Sequence, residues 1–314
     1  MLALIQNELI KIFSRTSTFV MMGLIILMVI GVGLLTNFNV NKNVYNDDWK
    51  KQLQIENDDI LAKMKEIPEE DRVFQNYKKT LAMNNYRIEN DIKPNSSINA
   101  WTFVKEAKPI LSFVGLFTII IAASIVASEF SWGTIKLTII RPFSRFQILL
   151  AKYITVLLIS LILIALLFLS SFILGIMLFG LHGDNVQLTY QHGKIIQENM
   201  ALYLIKYFLL SSVNLWVTAT MAFTISTVFR NSSIALGISL FAYFTGGITT
   251  GIIARKFEWA KYILFANTDL NMYNNGSILV KGMTPTFSII ILSIYLIVFL
   301  GISFISFIKR DITT

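Results

Sequence analysis

Six apolar runs, at 18–36, 109–127, 153–179, 203–229, 234–253 and 285–308, constrain this chain more than any other feature of it. Each holds about twenty residues or more, and a helix rising about 1.5 Å per residue needs roughly that many to cross the hydrocarbon of a bilayer. With 54% hydrophobic and 15% charged residues in 314, a water-soluble fold would be left with apolar surface it could not bury. The expected fold is therefore all-α and polytopic, with six transmembrane helices as spans 1 to 6.

Charge orients the spans. With both termini in the cytoplasm, nine of the 27 basic residues but only three of the 19 acidic ones fall on the short cytoplasmic segments, as the positive-inside bias requires. The long outer segments carry the rest nearly in balance. One outer segment runs against the bias: Arg255, Lys256, Lys261 and Lys281 outnumber Glu258 and Asp269. The net charge of +8 thus follows topology and is not a nucleic-acid footprint. The absence of cysteine excludes disulfides, thiolate metal sites and cysteine nucleophiles.

The segments between the runs differ in character. Residues 1–15 place Ile5, Leu9, Ile12 and Phe13 on one helical face among Glu8, Lys11 and Arg15, which predicts an interfacial helix. A cleaved signal peptide is not expected, because run 18–36 is long and TNFNVNKN after it offers no small-residue cleavage site. Residues 37–108 are rich in Asn, Asp, Glu and Lys. Trp49, Leu53, Ile60 and Met64, then Phe74, Tyr77, Leu81 and Ile88, recur near helical spacing on either side of Pro68, predicting an extracellular helical hairpin. Residues 181–200 are expected to be a solvated loop, where His182 and His192 make a poor metal site. Residues 254–284 are too short to cross and are expected to form interfacial or re-entrant helices.

The segment 128–152, SEFSWGTIKLTIIRPFSRFQILLAK, interrupts two apolar runs with charge. Phe130, Trp132, Ile135, Leu137 and Ile139 are interspersed with Glu129, Lys136, Arg141, Arg145 and Lys152, a composition that lies along a membrane surface instead of crossing it. Gly133 permits a bend, and Pro142 stops a helix running on from Ile140. A short surface helix, a turn and re-entry at Lys152 are expected.

Glu129, Gly133 and Thr134, followed by Arg141, Pro142, Ser144, Arg145 and Lys152, resemble the cytoplasmic signature of ABC-2 type permeases, the membrane subunits of bacterial ABC exporters. Leu264, Phe265, Asn267 and Asp269 are similar to a run before the last span of that family. The resemblance implies that residues 1–15 are an elbow helix and that 128–152 carries a coupling helix seated in a cleft of an ATPase. It implies as docking residues Glu129, Phe130, Trp132, Gly133, Thr134, Ile135, Lys136, Arg141 and Arg145. It also implies as partners an ABC ATPase dimer, a second permease copy or homologous permease, and membrane lipids, with a substrate such as an amphipathic antimicrobial peptide. No nucleic acid is expected.

The residues agree with an external motor. Runs 18–36 to 285–308 contain no Asp, Glu or His, and Lys206 near one edge is their one charged side chain, so proton coupling lacks a carrier. No Gly-x-x-x-x-Gly-Lys-Ser/Thr loop is present, since Gly193-Lys194 lacks the first glycine and the hydroxyl. There is likewise no Gly-x-Ser-x-Gly elbow and no His-Glu-x-x-His zinc pattern. No catalytic site and no cofactor are expected in this chain; ATP and Mg would bind the partner ATPase. Two other readings stay open: a membrane sensor or immunity protein that uses its extracellular hairpin, and a sodium-coupled secondary carrier.

Overall fold

A computed structural model describes residues 1–40, 48–68, 72–94, 98–133, 143–182, 186–191 and 194–309. Among them, six helices are long and apolar enough to cross a membrane: Thr16–Phe38, Lys108–Ile125, Arg145–Phe179, Met200–Phe229, Ser232–Ile253 and Pro285–Lys309. The chain is a mostly helical, multi-pass membrane protein.

Helix α1 (Leu2–Phe13) precedes α2 (Thr16–Val40), the first of the six. Leu4, Glu8 and Ile12 lie on one face of α1 at four-residue spacing and are buried. Helices α3 (Trp49–Met64) and α4 (Arg72–Glu89) pair. Trp49, Leu53 and Ile60 form the buried stripe of α3, and Asn57 bonds across to Asn84 and Asn85 at 3.0 and 2.9 Å.

The short helix α5 (Ala100–Glu106) leads through a 3-10 turn into α6 (Leu111–Ile125). Asn99 caps α5 in a reciprocal box: its Oδ1 accepts from the Thr102 backbone N–H, and its own N–H donates to Thr102 Oγ1. Although the sequence placed residues up to 108 in the separate hairpin region, α5 is part of the bundle. Ala100 N–H donates to the Gly180 carbonyl at 2.9 Å, Trp101 packs on Phe172 and Phe103 on Phe179. Gly175 provides the room, since a Cβ there would lie 2.9 Å from Ala100 Cα.

The one-turn helix α7 (Ala127–Ser131) follows α6, and Gly133, at φ +70°, makes the bend the sequence suggested. Helix α8 (Arg145–Phe179) starts earlier than the re-entry expected at Lys152. Ser144 and Gln147 form a capping box that begins the helix at Arg145, so residues 145–152 extend the span.

The region 181–200 is not a plain loop. Strands β1 (Val186–Gln191) and β2 (Lys194–Asn199) pair antiparallel with Val186 opposite Asn199 and Gln191 opposite Lys194. Val186, Leu188 and Tyr190 alternate with polar residues, and that period-two signal belongs to a strand. The expected all-α fold therefore holds for the spans but not for this hairpin. His182 is among the described residues and His192 is outside them.

Helix α9 (Met200–Phe229) packs against α6, α8, α10 (Ser232–Ile253) and α13 (Pro285–Lys309). Its second half is small and hydroxylated: Thr218, Ala219, Thr220, Ala222, Thr224, Ser226 and Thr227 are buried. Small side chains let helices approach closely where no hydrophobic force between them exists in lipid. Thr218, Thr220, Thr224 and Thr227 each donate back to the carbonyl four residues earlier, so no hydroxyl of the four is stranded. Arg230 ends α9 in the left-handed region at φ +56°, and Asn231 caps α10 by accepting from the Ser233 and Ile234 N–H groups.

Residues 254–284 form a 3-10 turn and two four-residue helices, α11 (Leu264–Asn267) and α12 (Asn271–Asn274). Buried Asn267 clasps them: its amide donates to the Lys261 and Ile263 carbonyls, while its Oδ1 accepts from Ser288 at the start of α13.

Candidate functional site

Helix α1 places a carboxylate, Glu8, in the middle of its buried stripe. A buried charge of this kind is strongly disfavoured unless it is paired and hydrogen-bonded. Its partner comes from far along the chain. Lys152, two turns into α8 and fully buried, donates from Nζ to Glu8 Oε2 at 2.8 Å and to Glu129 Oε1 at 2.7 Å. Glu129 is on α7 and is 6% exposed. Lys11 closes the figure, donating to Glu8 Oε1 at 2.7 Å and to Glu129 Oε1 at 3.0 Å. Two ammonium groups and two carboxylates thus alternate in a ring with no net charge.

The ring joins three elements that the sequence keeps apart: α1, the start of the segment 128–152, and the first turns of α8. Charge-assisted bonds of 2.7–3.0 Å are strong and directional, and a closed set of them holds its members in one geometry. Only Lys11 reaches toward solvent.

Burial opposes ionisation of Glu8, yet Lys152 and Lys11 outweigh it and hold the carboxyl below its ordinary 4.5. Burial likewise opposes the charge on Lys11, and its bonds to Glu8 and Glu129 raise it above 10.5. A lowered carboxyl stabilises the fold above its unfolded pKa and loses that as pH falls through the folded value. A raised amine does so below its unfolded pKa and loses it as pH rises through the folded one. Thermal unfolding in detergent is therefore expected to be flat in pH between these limits and to weaken on the acid side below 4.5. A midpoint that moves steeply near neutral pH would show that the ring is not ionised as described.

Around the ring lie the described docking candidates. Glu129, read as a charge for a partner, is turned inward. Phe130 is half-buried, edge-on to Phe307 of α13 at 6.4 Å, with the Arg230 guanidinium 4.6 Å from its ring centre. Trp132 is 67% exposed, with Arg15 5.4 Å from its ring centre. Arg145 donates from Nη1 to the Ile308 carbonyl at 3.1 Å, near the end of α13 where carbonyls lack helical partners. These residues gather at one end of the bundle, where α1, α7, the α9–α10 turn and the end of α13 meet. Thr134, Ile135, Lys136 and Arg141, with Leu137, Ile139, Ile140 and Pro142, lie outside the described residues.

Reading by segments missed Glu8 and Lys11 as members of this site and took Lys152 for the end of the loop and of the permease-like signature. One signal was present: a glutamate at the centre of an apolar helical stripe demands a cation, and Lys152 is the cation of segment 128–152 nearest an apolar run.

Comparison with known proteins places residues 72–313 under the pattern of DUF2705, described as a protein of unknown function. The chain is 48% identical over 316 residues to "Uncharacterized protein YhcI" of Bacillus subtilis, covering 99% of both chains. It is 35% identical over 202 residues to "Uncharacterized membrane protein YdbK" of the same organism, covering 62% of this chain and 76% of that one.

Proposed function

From the premise that the chain belongs to the DUF2705 family, and from the buried ring at the base of segment 128–152, we propose that it is the membrane subunit of an ATP-driven exporter of the ABC-2 type. It works in the bacterial cell membrane with both termini in the cytoplasm, as a pair of permeases served by a separate ATPase dimer that binds ATP and Mg. Helix α1 is the interfacial elbow, the α3–α4 hairpin is extracellular, and segment 128–152 receives the ATPase.

One observation carries this reading: Lys152 ties Glu8 and Glu129 into a closed ring. A loop that takes a push from a partner must be joined stiffly to the spans, or the stroke is lost in side-chain motion. The ring provides that joint, because displacing Glu129 drags α1 and α8 with it. ATP-driven closure of the partner would thus tilt two elements together. Segment 128–133 adds a contact surface, with Trp132 open to a partner, Arg15 beside Trp132 and Arg230 beside Phe130.

Arg145→Glu tests this reading poorly, because Arg145 also holds the end of α13. Trp132→Glu is cleaner. Purified from its native membrane, the wild-type chain is expected to bring a Walker-motif ATPase with it. Trp132→Glu is expected to lower that recovery at least tenfold with an unchanged melting temperature, on the scale of a buried aromatic anchor. Recovery of the chain without any ATPase, or transport that persists once the ATPase is deleted, would overturn the proposal and favour the sensor or the ion-coupled carrier.

A further inference from the structure

At the end of the bundle opposite the ring, a cavity of about 340 Å³ opens between α6, α9, α10 and the segment after α11. Lys108, Ser112, Ser211, Asn214, Tyr243 and Asp269 line it. A second recess of about 290 Å³ shares Ser112, Asn214 and Tyr243 with the first and is walled by Phe244, Phe265 and Gly247. One space thus has a charged, hydrogen-bonding part and an aromatic part.

The charges are held apart. Lys108 Nζ is fixed from behind, donating to Tyr203 Oη at 2.9 Å and sitting 3.8 Å from the ring centre of Tyr207. Asp269 Oδ1 accepts from the Asn271 backbone N–H at 3.1 Å. The two are not ion-paired with each other, although both face the same cavity. Behind the wall, Asn271 is 4% exposed and donates to Ser211 Oγ at 3.0 Å, but its Oδ1 has no partner among the described residues. Asn271 thus braces the wall at Ser211 and does not itself line the cavity.

We propose that this cavity binds a zwitterionic amphiphile whose primary ammonium meets Asp269, whose anionic group meets Lys108, and whose apolar part enters the recess of Phe244 and Phe265. Binding needs only this chain; that the ligand is the exported substrate rests on the exporter reading. A primary ammonium carries three donors and can bond the Asp269 carboxylate, whereas a trimethylammonium has none. The same chemistry is offered by an ethanolamine phospholipid from the membrane and by an amphipathic peptide with free termini from water.

The test uses the full chain without its ATPase, in nanodiscs of phosphatidylglycerol. The probe is lysophosphatidylethanolamine with a fluorescent acyl chain. Saturable binding is expected, weakened roughly tenfold or more when the amine is acetylated or replaced by choline. Lys108→Gln and Asp269→Asn are each expected to weaken it by a similar factor, and Lys206→Gln, on a lysine outside the cavity, to leave it unchanged. If instead a short amphipathic peptide binds only with both termini free, the same chemistry holds and the ligand comes from water. Equal binding of blocked and free forms, or none of either ligand, overturns the proposal, and those ligand series need no variant to fold. Binding that follows the charges while no ATPase copurifies leaves the site standing and removes the exporter.

Discussion

Lys152→Met is expected to destabilise the folded chain by roughly 3–5 kcal/mol, the range measured when one member of a buried ion pair is removed. Two carboxylates cause this. Glu8 and Glu129 are each 6% exposed, and without Lys152 the cation they share is Lys11, whose side chain is 36% exposed. A methionine fills the volume but supplies none of the three bonds that Lys152 Nζ makes. Loss of fluorescence-detected monodispersity on mild heating in detergent measures the effect. The triple variant Glu8→Gln, Glu129→Gln, Lys152→Met removes the three buried charges, leaves the partly exposed Lys11, and is expected to regain most of the stability, because replacing a whole buried pair is often neutral. A single variant as stable as the wild type would mean that water reaches the ring. Should the exporter reading hold, the folded triple variant is also expected to bind the ATPase yet transport slowly, since the joint is then soft.

Gly175→Val is expected to cost roughly 1–3 kcal/mol or more, the usual range for forcing atoms into a packed interface. A Cβ at 175 would stand 2.9 Å from Ala100 Cα and 3.1 Å from its carbonyl oxygen, and these are backbone atoms that cannot rotate away. Helix α5 would have to retreat from α8, taking with it the Trp101–Phe172 contact at 4.6 Å and the bond from Ala100 to Gly180. Propensity works the other way, since a helical glycine gains up to about 1 kcal/mol on acquiring a side chain. Gly237→Val on α10 controls for that gain, because nothing lies within 4 Å of a Cβ there. The melting temperature is expected to fall for Gly175→Val and to hold for Gly237→Val; equal changes in both would remove the close approach as the cause.

Hydropathy made the six spans legible, because a bilayer imposes a length and a composition that few other structures share. Capping made some ends legible and others not. Ser144 and Gln147 begin α8 inside a stretch whose charges argued for a surface loop, and local hydrogen bonding overrode composition there. The β-hairpin was hidden by its neighbours: VQLTYQ alternates, but KIIQEN does not, and two histidine–glycine pairs made the stretch look unstructured. The ring of Glu8, Lys11, Glu129 and Lys152 was the least legible part. Its members are as far as 144 residues apart, and each one, alone, resembles an ordinary charge at a membrane surface. Asp269 and Lys108 were likewise counted for topology and became a site only when the fold brought α6, α9 and residue 269 around one cavity.

Helix α8 is a single uninterrupted rod, and at about 1.5 Å per residue Lys152 and Gly175 stand roughly 35 Å apart along it. That is comparable to the ~30 Å of bilayer hydrocarbon, so the two anchor points of the rod lie near opposite ends of the span. One is held by charge and the other by backbone contact, and the length between them has no proline at which to kink. A tilt of only about 5° at the Lys152 end sweeps the Gly175 end through roughly 3 Å, the width of one atom, with α5 and the first residues of the cavity wall carried along.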